Sequence, residues 1–205
     1  ARLASGKRIN TAQDDTAGYA IAKSLEARGN GLKGALANVQ NAKSVLAIAE
    51  GGYQNQMDIL QTIKDKAVQA SDEALNTARR GSIDKQVFQL LTEFDEIGKQ
   101  TKWASSSLLN GATDRVFSFH VGGDSGEELL VTLDKSNSAT ATYVGAAANG
   151  GLTLDKLSNA AGTGKIGSGV KDADDSIATI DASINVLAGF IQKVGDTMVR
   201  LNKKE

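Results

Sequence analysis

Cysteine and proline are both missing from this chain of 205 residues, and aromatic side chains make up only 4% of it. Without cysteine there are no disulfides and no thiolate sites, although that alone fixes no cellular compartment. Few aromatics and no proline agree with a rod of closely approaching helices around a narrow core better than with a compact enzyme. Histidine is almost as scarce. His120 stands alone, which excludes a multi-histidine metal site and leaves a Ser-His-Asp arrangement a single possible base. An outward-facing strand histidine is the plainer reading. Charge of one sign is lacking too: 23 basic and 24 acidic residues give a formal net charge of −1. With no basic run, nucleic acid and anionic membrane are poor partners. No apolar stretch approaches the roughly 18 to 20 residues of a membrane span, and no cleavable signal peptide is visible.

What the chain does have is apolar periodicity. Ile177, Ile180, Ile184, Leu187, Ile191, Val194, Met198 and Leu201 alternate in steps of three and four. That spacing keeps one stripe on one side of a helix, and such a stripe is stable in water only against other helices. A second seam runs through Leu25, Leu32, Val39, Leu46, Tyr53, Leu60, Ala67 and Ala74, seven apart. It is joined by Ala35, Ala42, Ala49, Ile63 and Ala70, a line that Arg28 and Gln56 interrupt. A third follows Ile83, Val87, Leu90, Phe94, Ile97, Thr101 and Ala104. The pattern predicts a mainly α fold, an elongated antiparallel bundle of helices over about 15–72, 82–105 and 172–203.

The first helix should start at Asp14-Asp15, where a carboxylate accepts from free backbone N–H groups, and run to about Asp72 as a rod of roughly 85 Å. Gly29, Gly31, Gly34 and the Gly51-Gly52 pair predict a bend or a close contact within it. Ser82 is expected to cap the second helix. After Asn110-Gly111 the period falls to two: Phe117, Phe119 and Val121 alternate with Ser118 and His120, and Leu129, Val131 and Leu133 with Leu130 and Thr132. A β-hairpin over about 115–134 follows. Residues 136–169, rich in Ala, Gly, Ser, Thr and Asn around Leu152, Leu154 and Leu157, have little to bury.

Motifs for chemistry are weak. Gly162-Thr163-Gly164-Lys165-Ile166-Gly167 matches a dinucleotide fingerprint in letters only, since no strand precedes it. Asp14-Asp15 and Asp174-Asp175 each open an expected helix and are read as caps rather than paired catalytic acids. The chain is therefore expected to be no enzyme and to hold no cofactor or metal.

The N-terminal residues carry a family likeness. Leu3-Ala4-Ser5-Gly6-Lys7-Arg8-Ile9-Asn10, then Ala12 and Asp14-Asp15-Thr16-Ala17-Gly18, closely resemble the "LSSGLRINSAKDDAAG" signature of bacterial flagellins. Gly31-Leu32, Asn38, Glu50-Gly51, Leu60-Gln61, Ala67-Val68-Gln69, Gln100-Thr101, Leu108-Leu109 and Val121-Gly122 fall where that family places them. The family's "TxFNG" is Thr101-Lys102-Trp103-Ala104-Ser105 here, and its "QNRF" is Ile191-Gln192-Lys193-Val194.

The resemblance implies a structural subunit of the flagellar filament, exported without a cleaved signal peptide, whose partners are other flagellin subunits. The hook–filament junction protein, which shares the opening motif, and an unrelated secreted helical adaptor or adhesin are the alternatives. Ser5, Gly6, Arg8, Ile9, Asn10, Asp14, Asp15 and Gly18 would form the connector to an inner tube, making 1–14 connector, 15–134 helices and hairpin, 135–169 a variable segment and 170–205 the last helix of one rod. Leu32, Val39, Leu46, Leu60, Val87, Leu90, Phe94, Ile180, Ile184, Leu187, Ile191 and Val194 would be its bundle seam. The chain reads as a core fragment without the terminal inner-tube helices, expected to stay monomeric or weakly associated. The family segment read by Toll-like receptor 5 corresponds to Leu60–Lys66. Its key Arg, Leu and Glu positions are Thr62, Lys66 and Gln86, so receptor binding is expected to be weak.

Overall fold

The computed structural model describes residues 9, 11–110, 114–136 and 170–205, with side chains from 173 onward in the last stretch. Helix α1 spans Thr16–Ala70. Its 55 residues make a rod of about 82 Å. Asp15 caps it: its carboxylate accepts from the Gly18 N–H at 3.0 Å. From Ala35 onward the expected stripe is buried, with Val39, Leu46, Tyr53, Leu60 and Ala67 joined by Ala42, Ala49, Ile63 and Ala70. The N-terminal third departs from expectation. Leu25 and Leu32 keep the heptad register yet are 64% and 51% exposed. The buried core gathers from Ala35 onward, and beside the N-terminal third the hairpin turn comes close through the Arg28–Asp124 pair at 3.6 Å and through Leu32 next to Gly123. Ala74 lies beyond the helix and is exposed.

Helix α2 spans Thr77–Gln100 and begins five residues before the predicted cap. Asn76, not Ser82, is the cap, its side chain accepting from the Arg79 N–H at 2.9 Å. Ser82 instead donates to the Ala78 carbonyl one turn back. The buried face of α2 is Asp84, Val87, Leu91, Phe94, Asp95 and Gly98. Val87 and Phe94 are as expected, but Leu91 replaces Leu90, which packs half-buried beside the core. An unsupercoiled helix advances at about 3.6 residues per turn, so a strict 3.5 count drifts off the face over several turns. The helix stops at Gln100 rather than Ser105. Thr101 bonds back to the Ile97 carbonyl through both N–H and Oγ1, and the chain turns so that Leu108 and Leu109 enter the core. That turn is a tight antiparallel pair, β1 (Lys102–Trp103) with β2 (Ser106–Ser107).

Strands β3 (Arg115–His120) and β4 (Glu128–Leu133) form the expected hairpin, with Phe117 opposite Val131. Leu129, Val131 and Leu133 are buried while Leu130 faces out. His120 is half-buried rather than outward, because its end of the hairpin docks on α1: Asn38 Nδ2 donates to the His120 carbonyl at 3.1 Å. At the same dock a Cβ on Gly31 would stand 3.2 Å from the Gly123 carbonyl oxygen. Gly52 provides a second close approach, since a Cβ there would lie 2.6 Å from Leu109 Cδ1 and 2.7 Å from Thr101 Oγ1. Gly29, Gly34 and Gly51 meet nothing.

Helix α3 spans Val170–Asn202 and runs antiparallel along α1, as the Lys64–Asp181 pair at 2.5 Å and the Lys43–Glu205 pair together show. It begins before Asp174-Asp175, so these two acids sit inside the helix and do not cap it. Ile180, Leu187, Val194 and Leu201 are buried, with Ile177, Ile184, Ile191 and Met198 packed half-buried at their side. Contrary to the sequence reading, one helix among the described residues, Ala173–Asn202, is long and apolar enough to cross a membrane, with a mean hydropathy of 1.2. Its packing on the core of α1 and the hairpin is the use this fold makes of that apolarity. Helix α1 is thus the mast on which α2, α3 and the hairpin all pack.

Candidate functional site

The centre of the bundle holds a polar knot. Gln56 interrupts the apolar seam of α1 and is fully buried. Its Nε2 donates to the Phe94 carbonyl of α2 at 3.0 Å and to the Ser136 carbonyl at 3.3 Å, while its Oε1 accepts from Ser136 Oγ at 2.6 Å. Both amide hydrogens and the carbonyl oxygen are used, so the burial carries no unpaired group. Ser136 is itself fully buried, and its N–H donates to the Leu109 carbonyl at 2.9 Å. One turn earlier, Tyr53 Oη donates to the Asp134 carbonyl at 2.5 Å, and Lys193 Nζ of α3 reaches the Asp134 carboxylate at 2.7 Å. Burial first, then the Asp134 and Asp114 carboxylates, push the Tyr53 phenol well above its ordinary pKa. It therefore remains a donor. Residues 134–136 are fastened to α1, α3 and the 108–109 turn at once. In the sequence Gln56 only interrupts an apolar line, and Ser136 begins a stretch with little to bury. The available signal was a lone amide within an otherwise apolar seam.

At the connector, Ser5, Gly6, Arg8 and Asn10 lie outside the described residues. Ile9 is half-buried. Asp14 Oδ2 accepts from the Thr11 N–H at 3.1 Å, and Asp15 caps α1. Gly18 is small for a reason: a Cβ would lie 2.4 Å from Asp15 Oδ2 and 2.8 Å from Ile9 Cδ1. The acid-acid-x-x-glycine spacing therefore encodes a capped helix start with the preceding chain folded onto it.

Among the matched receptor positions, Thr62 and Gln86 are exposed and Lys66 is half-exposed. Thr62 Oγ1 donates to the Asp58 carbonyl at 2.9 Å, so that hydroxyl is turned back on its own helix. Among the described residues no three His, Asp or Glu side chains gather as a metal site. The low-complexity segment with the Gly162–Gly167 pattern and the Leu152, Leu154, Leu157 cluster lies outside the described residues.

Fold and site together define a helical packing protein whose polar residues cap and fasten elements. Comparison with known proteins narrows that class. The profile of the bacterial flagellin N-terminal helical region matches residues 1–114. The chain is 35% identical to polar flagellin A of Vibrio parahaemolyticus over 144 residues, which cover 70% of this chain and 38% of that protein. It is 32% identical to flagellin C of Vibrio anguillarum over 216 aligned positions, covering 97% of this chain and 57% of the relative. In fold it resembles the crystal structure of Bacillus cereus flagellin, with a TM-score of 0.63, 21% identity and coverage of 82% of this chain and 86% of that one. A protein described as flagellar hook-associated, from Vibrio parahaemolyticus, gives a TM-score of 0.66 at 12% identity, covering 95% and 92%; at that identity the likeness shows fold alone. The chain belongs to the bacterial flagellin family. It spans only part of the length of these curated relatives, 38% of one and 57% of the other.

Proposed function

We propose that this chain is the rod portion of a structural subunit that assembles with further flagellin subunits into the extracellular flagellar filament, and that it performs no catalysis. The observation carrying this reading is the flagellin match over residues 1–114, whose Asp14-Asp15 and Gly18 form a capped helix start. In this reading residues 1–14 are the connector, 135–169 a variable segment and 170–205 the last rod helix, and the buried seam keeps the rod rigid enough to transmit torque. By itself the chain stays monomeric or weakly associated. The flagellin relatives in sequence favour this over the junction-protein alternative.

A chimaera tests it. Residues 16–134 of this chain, replacing the matching stretch of polar flagellin A in cells lacking flagellin, should restore filaments visible by electron microscopy. A chimaera that is folded and exported but forms none would refute the reading.

The same proposal includes weak recognition by Toll-like receptor 5. Thr62 lacks the bidentate donor of an arginine, and Lys66 would bring a charge to a place suited to an apolar side chain. The triple variant Thr62→Arg, Lys66→Leu, Gln86→Glu should bind the receptor at least tenfold more tightly than the unmodified chain, on the scale of one regained charge-assisted contact. Tight binding by the unmodified chain with no gain in the variant would overturn the mapping.

A further inference from the structure

We propose that copies of this chain join through two different faces, the outward face of the β3–β4 hairpin of one copy seating in the groove beside the end of α2 on the next. The inference rests on the subunit reading above and names its contact surface. The groove is a shallow one between α1 and the C-terminal end of α2, with Ala47, Ile48 and Gly51 on one side, Ile97 and Lys102 on the other, and the polar Asn55 and Gln100 also lining it. A Cβ on Gly51 would meet nothing within 4 Å, so that wall is open to an incoming side chain. Ile48 is 39% exposed, and Trp103, next to Lys102, is 37% exposed. Tryptophan is the residue type most enriched where contacts carry binding energy.

The turn presenting Trp103 is strained. Ala104 and Ser105 both have positive φ, 46° and 69°, a conformation that Asn-Gly adopts at far lower cost. The reversal returns the chain so that Leu108 and Leu109 reach the core, and it leaves Trp103 at the surface beside the groove.

The hairpin supplies the counterpart. Its inward residues are taken up by the core, but Val116 and Leu130 face out at 61% and 64% exposure. With Val116 opposite Thr132 and Ser118 opposite Leu130, the two apolar side chains are diagonal neighbours and form one knob. Glu128 shares the face with Leu130, two residues away, and is exposed, so a carboxylate flanks the knob as Lys102 flanks the groove. Such a pair sets orientation more than strength. A knob and a groove on separate faces of one chain make a heterologous contact, which repeats without closing and builds an open helical array.

The absence of cysteine permits a clean test on the intact chain. Ile48→Cys and Leu130→Cys variants, one carrying a mass tag, are mixed in equal amounts and mildly oxidised after circular dichroism confirms that both are folded. The mixed disulfide should exceed either homodimer several-fold above random pairing. Lys102→Glu in the Ile48→Cys chain should slow its formation, and Glu128→Lys in the partner should restore the rate. A mixed yield no higher than that of Leu130→Cys with Lys23→Cys, an exposed position near the start of α1, would overturn the proposal. If the chimaera forms filaments while the cross-link stays at that control level, the subunit reading stands and this surface is wrong.

Discussion

Leu187→Ala should lower the unfolding free energy by about 2–5 kcal/mol, the range found when a buried leucine is truncated and its cavity only partly collapses. Leu187 is fully buried on α3, the helix that runs antiparallel along the mast. Its loss removes apolar area and packing contacts in the same place, with α1 too well fastened elsewhere to close the gap. In a domain of this size the change corresponds to a drop of roughly 5–15 °C in melting temperature. Urea unfolding followed by circular dichroism measures it, with Gln192→Ala on the exposed side of α3 as the control, expected within about 0.5 kcal/mol of the parent. A loss at Leu187 no larger than that control would mean that α3 is not packed on α1 at this position.

Gln56→Leu should be nearly as damaging although it makes the seam more apolar. It leaves the Ser136 hydroxyl without its acceptor and the Ser136 carbonyl without a donor, in a site with no access to water. Leaving buried polar groups unpaired costs about 1–3 kcal/mol each, so a loss of about 2–3 kcal/mol is expected. The double variant Gln56→Leu, Ser136→Ala removes the hydroxyl as well as the amide and should cost less than the two single changes added together. A coupling energy of about 1 kcal/mol or more in a double-mutant cycle is the expected result. Strict additivity would show that the two side chains do not share a bond that matters.

Much of the architecture was legible in the residues because it depends on local, periodic signals. The stripe of α1 from Ala35 to Ala70, that of α3 from Ile177 to Leu201, the Asp15 cap and the alternation of Leu129, Val131 and Leu133 each follow from spacing alone. Failures came where two local signals competed. Asn76 and Ser82 are both sound caps, and the choice fell to Asn76 because Arg80, only four residues on, bonds the Ala70 and Asp72 carbonyls and closes the turn from α1. The Thr101–Ala104 end of the third seam continues the count, yet Leu108 and Leu109 had to reach the core, so the helix stopped. The site was less legible. Asp15 and Gly18 could be read from their motif, whereas the knot of Tyr53, Gln56, Asp134 and Ser136 joins residues about eighty positions apart.

Helix content, the narrow alanine-lined seam and the lack of thiol or multi-histidine chemistry were set by the sequence itself, since each depends on the residue types present and their spacing along the chain. Tertiary structure alone decided which stretch of each stripe is covered. Leu25 and Val39 have the same register and comparable apolarity, but the hairpin end docks beside Val39, at Asn38, and Val39 is buried while Leu25 is exposed. It also decided that Gln56 stabilises rather than disrupts. A buried amide is costly or neutral according to whether its partners are present, and those partners, the Phe94 carbonyl and Ser136, arrive from distant parts of the chain only when it has folded.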